Sequence, residues 1–122
     1  MEVIYDVTLG KRYRPGYLYL FHSPRLDAHK IGHTELLRTR YSQIKIITKD
    51  DTLSLVVAYK GTWRLLEELL HIHYCDKRIE YHTTCDRTGL CTRHREFFRL
   101  SASDIVDIDQ YVRKVDSTNK FF

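Results

Sequence analysis

The stretch Gly16-Tyr17-Leu18-Tyr19-Leu20-Phe21, followed by His29-Lys30-Ile31-Gly32-His33, decides the fold. The first run is aromatic and aliphatic, of strand type, and the two-residue period of a strand puts Tyr17, Tyr19 and Phe21 on one face. Ser23-Pro24 marks a loop, and the second run is a short strand closed by Gly32. Strands joined by so short a loop pair antiparallel. Thr34 then caps a helix in which Leu37, Tyr41 and Ile44 recur at helical spacing, so the chain is expected to open as a hairpin feeding a helix.

Working outward, Leu53 to Tyr59 is rich in apolar and β-branched residues and reads as a buried third strand, with Gly61-Thr62 as punctuation. Trp63 to about Lys77 reads as a helix that turns Trp63, Leu66, Leu70 and Tyr74 toward a sheet. Ile79 to Arg95 is polar, rich in His, Cys and Thr, and reads as irregular. Glu96 to Leu100 is a short strand. Ser101 to Asp104 is a capping box into a last helix carrying Ile105, Ile108, Val112 and Val115, with a frayed tail after Ser117. The expected class is α/β: a small mixed sheet with an N-terminal antiparallel hairpin, flanked by helices in two or three layers.

A chain of 122 residues with 43% hydrophobic content and no repeat, linker or low-complexity tract is expected to be one domain, residues 1–122, with its core at about 16–115. No apolar stretch is long enough to cross a bilayer and no export signal opens the chain, so a soluble, intracellular protein is expected. Three cysteines, Cys75, Cys85 and Cys91, argue against a disulfide framework and leave reduced thiols or a metal site. Cys85, Cys91 and His94, completed by Cys75 or His82, are a candidate zinc set, although their spacings match no standard finger. The net charge of +4 suits a polyanionic partner. The basic residues cluster at Lys11, Arg12 and Arg14, and again at Lys77, Arg78, Arg87, Arg93, Arg95 and Arg99. Interleaved Tyr and His make Lys11, Arg12, Arg14, Arg93 and Arg95 candidate nucleic-acid contacts, against the plainer reading of solvated basic faces.

Through Gly16-Tyr17-Leu18-Tyr19 and Lys30-Ile31-Gly32 the chain resembles the GIY-YIG nuclease superfamily, over about Gly16 to Ile108. Members carry a Gly-x-x-Tyr strand and a second strand ending in an x-Ile/Val-Gly triplet, and Tyr19 and Lys30 fit the two tyrosine positions. The arginine on their next helix is matched by Arg40, and the metal-binding glutamate of a later helix by Glu67. In the branch found in phages and large DNA viruses that helix reads Glu-x-x-Leu-His and precedes an Arg-Glu-aromatic-Phe strand. Glu67 to His71 and Arg95-Glu96-Phe97-Phe98 resemble both.

The resemblance implies a metal-dependent endonuclease that hydrolyses DNA, with one Mg2+ or Mn2+ held by Glu67. It implies that Tyr19 orients or deprotonates the attacking water. An ordinary phenol is too weak an acid for the second role without a nearby cation, which would be Arg40 unless Arg40 binds the scissile phosphate itself. Tyr17, on the Tyr19 face, and His71, one helical turn beyond Glu67, are further catalytic candidates. Two residues depart from the pattern. Lys30 replaces the usual tyrosine and is suited to phosphate, and His33 replaces a usual Lys or Arg and is suited to carrying a proton. The late asparagine of many relatives has no counterpart except Asn119, in the tail. The plainer readings are strand aromatics for Tyr17 and Tyr19, a snorkelling Arg40, and a solvated helix face for Glu67 and Glu68.

A bare catalytic domain of this size has little surface for reading bases, so low sequence specificity is expected unless it acts as a homodimer or with a partner. A viral member would act in the host nucleus or cytoplasm. The alternative functions are a catalytically inactive nucleic-acid-binding module of the same fold and a zinc-stabilised protein-interaction domain.

Overall fold

A computed structural model describes residues 16–61 and 64–119; the expectations for Lys11, Arg12, Arg14 and Trp63 lie outside them. Strands β1 (Gly16–Ser23) and β2 (Ala28–Thr34) form the hairpin, followed by α1 (Leu37–Thr48), β3 (Ser54–Gly61) and α2 (Arg64–His73). One 3-10 turn at Cys75–Lys77 leads to β4 (Tyr81–Thr84), β5 (Cys91–His94), β6 (Phe97–Phe98) and α3 (Ala102–Asn119).

The main sheet has the order β3-β1-β2-β6, and every neighbouring pair is antiparallel. The expected mixed sheet is therefore not formed. The crossover through α1 carries β3 past β1, so β2 and β3 run the same way but are separated by the strand between them. Alternation along β1 and β2 sorts two cores. Leu18, Leu20 and Ile31 meet Leu66 and Leu70 of α2, and Ile108 and Val112 of α3. Tyr19 and Phe21 meet Ile44 of α1 and Phe97. The result is three layers, with α1 on one face of the sheet and α2 and α3 on the other.

Two elements differ from their sequence reading. The run at Leu53 to Tyr59 becomes an edge strand, with Leu55 45% and Val56 42% exposed. A continuous apolar run does not distinguish an edge from a centre, and here Val57 and Tyr59 are the β3 residues packed on the α2 and α3 side. The irregular segment after Ile79 instead forms a second antiparallel sheet from β4 and β5, with Thr83 opposite Thr92 and Thr84 opposite Cys91. The Thr83–Thr92 pair joins β-branched residues across the strands, and Tyr81 packs the hairpin against Phe97. The Tyr81 hydroxyl fastens it to the body by donating to the Ile47 carbonyl at 2.8 Å.

Local signals act where expected, with one shift. Thr34 accepts from the Leu36 N–H at 3.1 Å, capping the turn before α1 rather than the helix itself. At α3 the capping box is complete: the Ser101 N–H donates to Asp104 Oδ2 at 2.8 Å and the Asp104 N–H to Ser101 Oγ at 3.1 Å. Asp50, buried after α1, accepts from Ser23 Oγ at 2.7 Å, the Arg25 N–H at 3.0 Å and the Thr52 N–H at 2.8 Å. It ties the β1–β2 turn to the α1–β3 loop.

Candidate active site

Tyr19 lies opposite Gly32 in the β1–β2 register, with its ring across that glycine. A Cβ at position 32 would fall 2.4 Å from the Tyr19 hydroxyl oxygen and 2.6 Å from Cζ. The second motif therefore ends in glycine because the phenol occupies the space of a side chain. The ring points the Tyr19 hydroxyl toward the outer edge of β2. There β6 pairs with His29 and Lys30 alone, and among the described residues no strand pairs with Gly32 to Thr34 on that side.

Charged groups gather at this open edge from both faces. Lys30 is 5% exposed, and its ammonium lies 5.4 Å from the Tyr19 ring centroid and 5.9 Å from that of Phe97. It forms an ion pair with Glu96. Arg40, half-buried on α1, has its Nε buried without a hydrogen-bond partner. On the opposite face, β2 alternation presents His33 to α2, where its Nδ1–H donates to Glu67 Oε2. Glu67 is 9% exposed. One helical turn on, His71 Nε2 stands 3.7 Å from Glu67 Oε1 and donates to the Ile31 carbonyl at 2.8 Å. The His71 Nε2 hydrogen thus satisfies a strand carbonyl and fixes the ring beside the carboxylate.

Burial holds the Tyr19 phenol well above its ordinary pKa; Glu96 and Glu67 push the same way, and the opposing pull of Arg40 does not prevail. With these groups alone Tyr19 stays a neutral hydroxyl, and Arg40 by itself does not supply the lowering that a phenolate role requires. Burial lowers the Lys30 pKa while Glu96 pulls it up. Burial also raises the Glu96 carboxyl, but Lys30 outweighs this and keeps it below the usual range.

Other candidates do not join the group. Among the described contacts none connects Tyr17, which lies opposite Thr34 and Lys60, to the charged residues. Cys75, Cys85, Cys91 and His94 are not brought together, and no described set of three His, Cys, Asp or Glu side chains is arranged to hold a metal. Cys91 Sγ does approach His82 Nδ1 at 3.7 Å, but Cys75 is in the 3-10 turn and His94 Nε2 is taken up by the Thr83 hydroxyl at 2.8 Å. Of the second basic cluster, Lys77 pairs with Asp104 at 2.5 Å, Arg93 with Glu80 at 2.5 Å, and Arg78 stacks on Phe98 at 5.2 Å. Arg87, Arg95 and Arg99 are exposed. Glu96 was read from sequence only as part of a motif. The signal that could have singled it out is Lys30, since an ammonium inside a strand pair requires a counter-charge.

Fold and site together define a small α/β domain with one cation-lined polar centre at an open strand edge. Residues 16–116 match the T5orf172 domain, and the chain belongs to that family, a phage-associated domain of nuclease type. Comparisons with curated proteins and with solved structures give no match.

Proposed function

We propose that this chain is a GIY-YIG-type endonuclease that hydrolyses DNA phosphodiester bonds with one Mg2+ or Mn2+ and low sequence specificity. The observation that supports it most is that Lys30, Arg40 and Glu67 all lie near enough to Tyr19, whose ring rests on Gly32, to act on it or on one another electrostatically. The donor set fits such an ion: Glu67 offers one hard carboxylate, and Mg2+ commonly takes few protein ligands and keeps water and phosphate in its other positions. When bound, the ion would add positive charge at the phosphoryl oxygens and make its water more acidic.

The remaining roles belong to the chain. Arg40 has a buried N–H without a partner, which a phosphate oxygen would satisfy, and Lys30 adds a second cation near the Tyr19 ring. The Tyr19 hydroxyl orients the attacking water. His33 is tied to Glu67 through Nδ1, which leaves its Nε2 as the nitrogen that accepts a proton from that water.

Supercoiled plasmid incubated with Mg2+ or Mn2+ tests the reading. Glu67→Ala and Arg40→Ala are each expected to cut about 100-fold to 1,000-fold more slowly than the parent, with circular dichroism showing the folded state. Parent-level cutting by both would sink the site. Binding without cutting by the parent would leave a nucleic-acid-binding module.

A further inference from the structure

Lys30 and Glu96 form an ion pair between a buried ammonium and a half-exposed carboxylate at this site, and the proposed chemistry uses only the lysine. Lys30 sits inside the sheet at 5% exposure, whereas the Glu96 side chain is 47% exposed. Glu96 lies in the two-residue link between β5 and β6, and its carbonyl accepts the Ile31 N–H at 3.1 Å. Its main chain is thereby pinned to β2 beside Lys30, while its carboxylate can leave for solvent. A buried ammonium without a counter-charge is strongly disfavoured. The groups facing Lys30 are Tyr19 from β1, Arg40 from α1, Glu67 from α2, His94 from β5 and Glu96. Arg40 disfavours the charged lysine, Glu67 favours it, and Glu96 is its strongest support.

We propose that Glu96 is a positioning residue whose carboxylate holds the Lys30 ammonium charged and aimed into the site of the free protein, and is displaced by a DNA phosphate when substrate binds. This rests on reading the β2 edge as a nuclease centre. It gives Glu96 the place that the phosphate takes next, so the lysine is never left buried without a negative partner.

The test is the binding of a fluorescent DNA duplex in EDTA, where nothing is cut. At about pH 6.5, Glu96→Gln should bind at least as tightly as the parent, because phosphate no longer competes with a carboxylate for a lysine that is still charged. At about pH 9.5 the same variant should bind about tenfold more weakly than the parent, because Lys30 gives up its proton earlier without Glu96. Adding Lys30→Arg, whose guanidinium does not titrate, should restore the high-pH affinity to within about threefold of its low-pH value. Glu96→Asp keeps the charge and should follow the parent, and thermal melts at both pH values check that each variant is folded. An equal loss at both pH values, as a merely structural role would give, overturns the proposal, and so does no loss at either. If the parent binds DNA but never cuts it, the nuclease reading fails while the pH crossover still decides the role of Glu96. If the parent binds no DNA, both fail.

Discussion

Two buried clusters of polar groups, one at the end of β1 at Ser23 and one beside its middle at Tyr19, are built on opposite terms. Around Asp50 every described donor has an acceptor: Ser23, Arg25 and Thr52 all hydrogen-bond the one carboxylate, and Arg25 Nη1 reaches the Thr48 carbonyl at 3.0 Å. Around Gly32 the terms are unbalanced. The Arg40 Nε is buried without a partner, a phenol is held neutral between two carboxylates, and Lys30 depends on a half-exposed glutamate. A satisfied network stabilises one structure, whereas an under-satisfied one is stabilised further by whatever supplies the missing partners. The first arrangement is a clasp, and the second has chemistry left to do.

The largest effect that would test this contrast is expected from Gly32→Ala. The new Cβ collides with the Tyr19 phenol and must move it, so cleavage should fall about 100-fold or more while the sheet still forms. Undiminished cutting by this variant would show that the phenol has no part in the reaction. Tyr19→Phe comes next, with a loss of about tenfold that is the same at every pH from about 6 to 9, because the phenol stays neutral throughout. A parent rate that climbs with pH while the Phe variant stays flat would instead mark a phenolate base. The smallest effect on cutting belongs to Asp50→Asn, which should lower the melting temperature by several degrees and leave the cleavage rate of the folded protein unchanged. Hydrogen bonds from Thr52, Ser23 and Arg25 hold the Asp50 carboxyl well below the ordinary value, burial notwithstanding. A carboxyl depressed on folding contributes stability that is present above its unfolded pKa, near about 4, and lost as the pH falls toward its folded value. The parent melting temperature should therefore decline in acid more steeply than that of Asp50→Asn, and parallel curves would remove Asp50 as the clasp.

What could be read from sequence was local. The hairpin, the α1 register and the Ser101–Asp104 capping box are written in neighbouring residues, and the structure forms each of them. Tyr19, Arg40 and Glu67 could be named because their spacings resemble a known pattern. Less legible was anything set by partners distant in the chain. The exposure of Leu55 and Val56 depends on β3 ending at a sheet edge, and the β4–β5 pairing depends on a register that Thr-rich sequence does not advertise. The neutral state of Tyr19 follows from burial that becomes visible only when α1 and the strand Phe97–Phe98 close over its face of the sheet. Glu96 itself is 66 residues from Lys30, and a strand lysine announces that some counter-charge is needed without saying which acid supplies it.

That separation has a consequence for how such a chain can change by mutation. A tyrosine at position 30 would need no counter-charge, and a carboxylate at 96 would then lack the ammonium that neutralises it. A lysine at 30 without an acid at 96 would be equally ill-placed. Positions 30 and 96 are therefore expected to be inherited as one unit: in an alignment of relatives they should covary, and a single exchange at either should be rarer than the paired exchange.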